Sequence, residues 1–375
     1  MGDRKNVEES RFLKLAKPAL KELLNILLEK YEYASVLAVD SEAKIYSVSA
    51  SGINLGDFGM LCNRGFVVKT YSDGEYAEYS FNKLENDVKK QAESIVEEIE
   101  KLKKAVPDCV EKIKLAKLND EPVSFAKSTQ YEISPFTLGA QAIVDKLSAL
   151  RQKGIDSDER ILDCGTRLSC RKYSKLFLSE NKDMEQNIMI TDCAMSFAAR
   201  KDSEVKSYFT SASNLGGAEV LDKLESSMEH SVEMTIALLD SEPITPGEYD
   251  CICTPEVTGM IVHEAFGHGV EMDMFAKKRA LAEKYVGEYV ASPLINMHDG
   301  AAAADEVASY FFDDDGVEAE DTLIIENGVL KQGISDTMAA MRLNTVPTGN
   351  SRRESYRRKA YTRMTNTYFE AGHDK

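Results

Sequence analysis

The residues in this chain best suited to chemistry lie in the run Val262-His263-Glu264-Ala265-Phe266-Gly267-His268-Gly269. Two imidazoles flank a carboxylate. Imidazole nitrogen is a good zinc ligand, and a carboxylate beside the ion can act as general base toward an attacking water. His263 and His268 are therefore candidate Zn2+ ligands and Glu264 the candidate catalytic base. This is the logic of the H-E-x-x-H helix with one extra residue between the histidines. On a regular α-helix, positions i and i+4 differ by about 40° in direction, whereas i and i+5 differ by about 140°, too far apart to chelate one ion. The spacing predicts a π-type insertion, or a helix ending near Gly267, with Gly267 and Gly269 permitting the distortion. A Cys253–His263 nucleophile pair is the alternative chemistry, but it has no identifiable third group to orient it.

Two other stretches carry charge with possible purpose. Ser351 to Arg363 holds six arginines and lysines against one glutamate. Such a patch suits a substrate carboxylate or a developing oxyanion, and equally a solvated strand edge. Asp313-Asp314-Asp315-Gly316 lacks the alternating ligands of a calcium loop and reads as a turn.

The candidate helix needs a start. Thr254 suits the N-cap, Pro255 the first helical position, and Glu256 the positive helix end. A strand, Glu248–Cys253, is expected to lead into it. Cys251 and Cys253 would share one sheet face there as buried small hydrophobes. Upstream, periodicity predicts helices over 10–31 (kinked or divided at Pro18), 84–105 (stopped by Pro107), 138–153 (stopped by Gly154) and 217–240. Strands are expected at 35–40, 44–49, 65–71 and 75–81, the last two joined by a turn at Ser72-Asp73-Gly74, and as a meander over 167–178 and 187–199. The expected class is α+β. An N-terminal antiparallel sheet with long helices occupies residues 1–240, and a C-terminal domain, 241–375, carries the metal helix.

Composition narrows the function. The chain has 375 residues and a formal net charge of −17, so its surface repels phosphate backbones, and neither nucleic acid nor an anionic membrane is an expected partner. No apolar run approaches the roughly 20 residues of a membrane helix, and Met1 to Leu13 does not read as a secretory signal. Seven scattered cysteines fit free thiols in a reducing, cytoplasmic setting.

The segment around His263 resembles the TldD/PmbA family, named for modulation of DNA gyrase, and in particular its TldD-like catalytic subunit with a helix reading H-E-x-x-x-H. Gly287–Ser292, Ile324–Leu330, Pro347–Ser355 and Arg363–Thr367 look like later blocks of that family, and 64–74 resembles its first sheet more loosely. The resemblance implies a β-barrel-like C-terminal domain and a zinc metallopeptidase acting on small or unfolded peptides. It further implies a heterodimer with a related subunit lacking the metal motif; a homodimer is the other expectation, from sheet edges and apolar surface left uncovered where the sequence stops. Within its blocks, Arg352 and Arg353 become candidates for contact with substrate or oxyanion, while Arg357, Arg358 and Lys359 are expected in solvent. It also implies a third ligand, a cysteine downstream of the last residues here, Gly372–Lys375. None of the cysteines present sits in the matching motif, and Glu271, Asp273 and His298 are the possible substitutes. A truncated chain with weak zinc binding, acting as an inactive binding or assembly subunit, is the alternative expectation.

Overall fold

In the computed structural model, residues 4–57, 63–105, 112–113 and 122–372 are described. The expected stop at Pro107, and Cys62 and Cys109, lie outside them.

The first helix, α1 (Arg11–Leu28), is capped by Ser10, whose side chain accepts from the Leu13 N–H. It runs through Pro18 without dividing. Its stripe of Leu13, Ala16, Leu20, Leu23, Leu24 and Leu27 is buried along the whole length, and that burial outweighs the one helical hydrogen bond a proline forfeits. The two strands expected next are one strand of 17 residues, β1 (Tyr33–Ser49). After β2 (Gly52–Asp57) come β3 (Arg64–Ser72) and β4 (Glu75–Phe81). Asp73 and Gly74 between them both have positive φ, as a tight hairpin turn requires.

Helix α2 (Val88–Ala105), strand β5 (Val123–Ser128) and helix α3 (Ala140–Ile155) precede the meander β6 (Ile161–Ser179), β7 (Lys182–Lys201) and β8 (Glu204–Leu215). Gly154 does not stop α3. It lies inside the helix, where a Cβ would press on Cys164 and Phe197, so the glycine serves close packing against the sheet. The helix expected over 217–240 is broken into Val220–Ser226, Met228–Ala237 and a 3-10 turn.

The strands form one eight-stranded sheet in the order β8-β7-β6-β1-β3-β4, with β2 beside β1 and β5 parallel to β7; all other pairings are antiparallel. Because side chains alternate across a strand, this sheet is covered on both faces. Val36, Ala38, Phe66, Val68, Leu176 and Leu178 pack under α1 and α2. Their neighbours Leu37, Val67 and Phe177 face the other way, with Met184, onto Phe312 and Tyr356 of the C-terminal part.

The strand expected at Glu248–Cys253 is absent. Residues 241–254 are irregular and exposed, Ile252 fully so, and Cys251 and Cys253 face solvent. An alternating pattern makes a strand only when a neighbour completes its ladder, and none of the described residues does so. Farther on, β9 (Met297–Gly300), β10 (Thr322–Glu326), β11 (Val329–Leu330) and β14 (Asn366–Phe369) form an open four-stranded sheet in the order β11-β10-β9-β14, while β12 (Ser351–Arg352) pairs with β13 (Tyr361–Thr362). No closed barrel forms among the described residues. Nor is any helix among them long and apolar enough to cross a membrane.

Candidate metal centre

Thr254 is extended and Pro255 opens a helix over Pro255–Ile261. At Val262 the winding widens into a π turn, Val262–Gly267, in which the His268 N–H donates to the His263 carbonyl five residues back. A 3-10 turn, His268–Val270, follows. Val262 and Val270 anchor the two ends in the core formed with Met297, Ile324 and Ile325. The extra residue in the turn removes the angular mismatch between i and i+5. His263, Glu264 and His268 are all exposed, and each offers a donor atom within 4.8 Å of the others. The two imidazole centroids lie 4.9 Å apart, with ring planes at 80°. Two zinc–nitrogen bonds of about 2.0–2.1 Å at a tetrahedral angle hold their nitrogens about 3.3 Å apart, so modest side-chain rotation brings these donors onto one ion.

The glycines do not act as expected. Gly267 has ordinary helical angles, φ −53° and ψ −54°, so the π turn needs no special backbone freedom there. A Cβ at Gly267 would collide with Met364 Sδ. The residue is small because the Met364 side chain lies beneath the turn. Gly269 has open space around it.

Glu271, considered above only as a substitute ligand, stands one turn on. It is 3% exposed. Its Oε2 accepts from Arg363 Nη1 at 3.2 Å. Its Oε1 is buried without a hydrogen-bond partner and lies 3.5 Å from His268 Nδ1, longer than a hydrogen bond. Burial raises its carboxyl above the ordinary value, opposed by Arg363. The other substitutes are engaged elsewhere. Asp273 binds Lys277 at 2.8 Å. Both nitrogens of His298 face carboxylates, Asp321 at 2.9 Å and Glu370 at 3.0 Å, and its ring stacks on Tyr368.

The two arginine candidates separate. Arg352 is exposed, donates to the Met364 carbonyl at 2.9 Å and lines a groove shared with His263 and His268. Arg353 borders the same groove, but its side chain is 3% exposed and grips Glu78 through two hydrogen bonds of 2.9 and 2.8 Å. Its guanidinium is thereby committed to the large sheet. Arg357, Arg358 and Lys359 are exposed, as expected.

Sequence reasoning passed over the aspartate run as a turn. Gly316 does turn there, with φ +74°, but Asp313, Asp314 and Asp315 are all buried. Asp314 pairs with Lys175 and accepts from the Arg353 N–H, and Asp315 pairs with Lys69 and accepts from the Thr337 N–H. Asp313 accepts from the N–H groups of Asp315, Val317 and Ser351. Burial nevertheless pushes its carboxyl up to about 7. Burial likewise lowers Lys69 to about 8. Asp299, fully buried, gathers Asn350, Thr365 and Thr367, tying the segments after residue 347 and after Arg363 to β9. The signal for these roles lay in the parity of Lys69, Glu78 and Lys175 along their strands, which is legible only once their partners are known.

Residues 246–375 match the PmbA/TldA metallopeptidase C-terminal domain. Over 217 residues the chain is 29% identical to a metalloprotease of Methanocaldococcus jannaschii, covering 58% of this chain and 48% of that one. Over 129 residues it is 39% identical to a zinc metalloprotease TldD homolog of Saccharolobus solfataricus, covering 34% of this chain and 28% of that one. The C-terminal part of the chain, residues 246–375, belongs to the TldD/PmbA family. The chain spans about half, or less, of the length of the curated TldD/PmbA relatives it matches. Among solved structures, a modulator of a DNA gyrase from Thermotoga maritima superposes with a TM-score of 0.76 at 18% identity, covering 95% of this chain and 78% of that one. TldE of Thermococcus kodakarensis gives 0.71 at 16%, covering 94% and 78%. At these identities the likeness is one of fold.

Proposed function

We propose that this chain carries the active centre of a zinc metallopeptidase acting on small or unfolded peptides, with His263 and His268 as metal ligands and Glu264 as general base. One observation carries the reading: the π turn brings the donor atoms of all three residues within 4.8 Å. The names of the relatives, metalloprotease and zinc metalloprotease, support it. Zinc, when bound, supplies Lewis acidity toward the scissile carbonyl. The chain's own residues do the rest. Glu264 accepts a proton from the attacking water and returns it to the leaving amine. Glu271, with Oε1 3.5 Å from His268 Nδ1, leaves Nε2 as the nitrogen free for metal and is placed to fix the ring once the two close to hydrogen-bond distance. Arg352, on the groove wall, is placed to receive a substrate carboxylate or carbonyl; Arg353, held by Glu78, supports that wall from behind.

The division at residues 240 and 241, a cytoplasmic setting, and assembly with itself or a related subunit belong to the same proposal. Exposed Met260 and Ile261 on the metal helix, and exposed Ile244 and Ile252 on the segment leading into it, support the assembly, since large apolar side chains left in solvent favour an interface.

The test is a zinc titration paired with a peptidase assay. Glu264→Gln should abolish hydrolysis and leave metal uptake nearly unchanged, because an amide cannot accept the proton. His263→Ala and His268→Ala should lose both. Retained hydrolysis in the Gln variant, or uptake undiminished in both Ala variants, removes these residues from the mechanism.

A further inference from the structure

The groove beside the candidate centre is more basic than its chemistry requires. Its volume is about 860 Å³, and His263 and His268 share its lining with Arg352, Arg357, Arg358 and Lys359. Those four cations have no carboxylate partner among the described residues. The remaining two are engaged, Arg353 with Glu78 and Arg363 with Glu271. Of the carboxylates on the wall, Glu271 is buried and Glu354 is exposed. A net positive groove therefore opens in a chain of charge −17. An isolated lysine on such a surface would merely be solvated. Four unpaired cations in one concavity sum their fields over the Debye length of about 8 Å, and the acidic surface elsewhere repels an anion toward them.

We infer that this groove selects acidic peptides: segments with aspartate or glutamate side chains, or a terminal carboxylate, to one side of the bond at the candidate centre. The inference rests on the peptidase reading for the reaction, but not for the binding. Arginine forks suit carboxylates, and the three cations at 357–359 lie on exposed chain where side-chain carboxylates can reach them. Nucleic acid fits less well. Its backbone would meet repulsion beyond the groove. The Tyr361 ring in the lining is already approached by Lys277, Lys359 and Arg363, so a stacking base would have to displace these cations from it.

The test uses three labelled peptides of equal length, acidic, neutral and basic, and a single-stranded oligonucleotide of equal charge to the acidic one. Binding is read by fluorescence anisotropy on the full chain bearing Glu264→Gln, and turnover on the unmodified chain with zinc. The acidic peptide should bind at least tenfold tighter than the neutral one, with the preference fading in high salt. Replacing Arg357, Arg358 and Lys359 together by glutamine should reduce the preference by about tenfold, from roughly two- to threefold for each exposed ion pair, while circular dichroism stays unchanged. Equal binding of acidic and neutral peptides, an undiminished preference in the triple variant, or oligonucleotide binding as tight as the acidic peptide would each overturn the inference. Acidic-peptide binding without cleavage would support it and remove the proposed reaction. Cleavage of all three peptides alike, with equal binding, would leave the reaction and remove the selectivity.

Discussion

Gly267 and Gly269 sit two residues apart beside the same candidate ligand, yet the structure gives them unequal weight. At Gly267 any Cβ meets Met364, which is itself buried, so neither side can yield freely. Gly267→Ala should cost about 1–3 kcal/mol, the range for overpacking a closed site, whereas Gly269→Ala should change stability by less than about 0.5 kcal/mol. Urea unfolding of the two variants tests this, and equal costs would show that backbone freedom, not space, is what the glycines supply. Glu271 gives a second prediction at this scale. If its buried Oε1 fixes the His268 ring, Glu271→Gln should weaken zinc binding by about 10–100-fold, as loss of a partner behind a metal-ligating histidine does. Unchanged affinity would reduce Glu271 to an anchor for Arg363.

Among the elements, the π turn is the one that converts sequence spacing into a usable pair of imidazoles. Removing its extra residue should therefore be tolerated. Deletion of Ala265, which is exposed, turns the run into H-E-x-x-H and lets a plain α-helix hold both imidazoles about 40° apart. The variant should fold and keep zinc affinity within about tenfold, a small change beside the loss expected on removing a ligand. Complete loss of zinc would mean that the π geometry itself, rather than the angle it restores, is needed. The segment 241–254 is the opposite case: its alternation matched a strand, but no neighbouring ladder among the described residues takes it up.

For the molecule as a whole, buried charge joins the large sheet to the C-terminal part. Arg353→Met would leave the Glu78 carboxylate with Lys69 as its one remaining cation among the described residues and should cost about 3 kcal/mol, the low end of the penalty for breaking a buried pair. Glu78→Gln combined with Arg353→Met should recover much of that loss. Additive costs in the double variant would show that the pair does not act as a unit. The same contact sets a pH dependence. Burial works to raise the Glu78 carboxyl, but Lys69 and Arg353 outweigh it and hold it down at about 2, against an ordinary 4.5. A folded-state value below the unfolded one contributes stability in full above pH 4.5, lost as pH falls from there toward 2. Urea midpoints across that window should drop for the unmodified chain and drop less for Glu78→Gln. Parallel slopes would place the acid sensitivity elsewhere.

Local pattern was enough to read the candidate ligands, the irregular turn between them, the α+β class, the 73–74 hairpin and the meander, because each depends on a short-range period or a forced angle. His263 and His268 could not share an ion on a regular helix, so their spacing alone called for a π turn or a helix ending near Gly267, and the structure has the π turn. Tertiary structure decided what depends on distant partners. Pro18 stays inside α1 because leucines on both sides of it are buried together. Gly154 and Gly267 are small because Phe197 and Met364, far along the chain, approach them. Asp313–Asp315 resembles any polar turn until Lys69, Lys175 and the amides around it close in, and Arg353 looks like a substrate contact until Glu78, 275 residues away, takes its guanidinium. A single sequence states which groups a chain owns, but burial and pairing arise only when the two faces of a sheet have found what covers them.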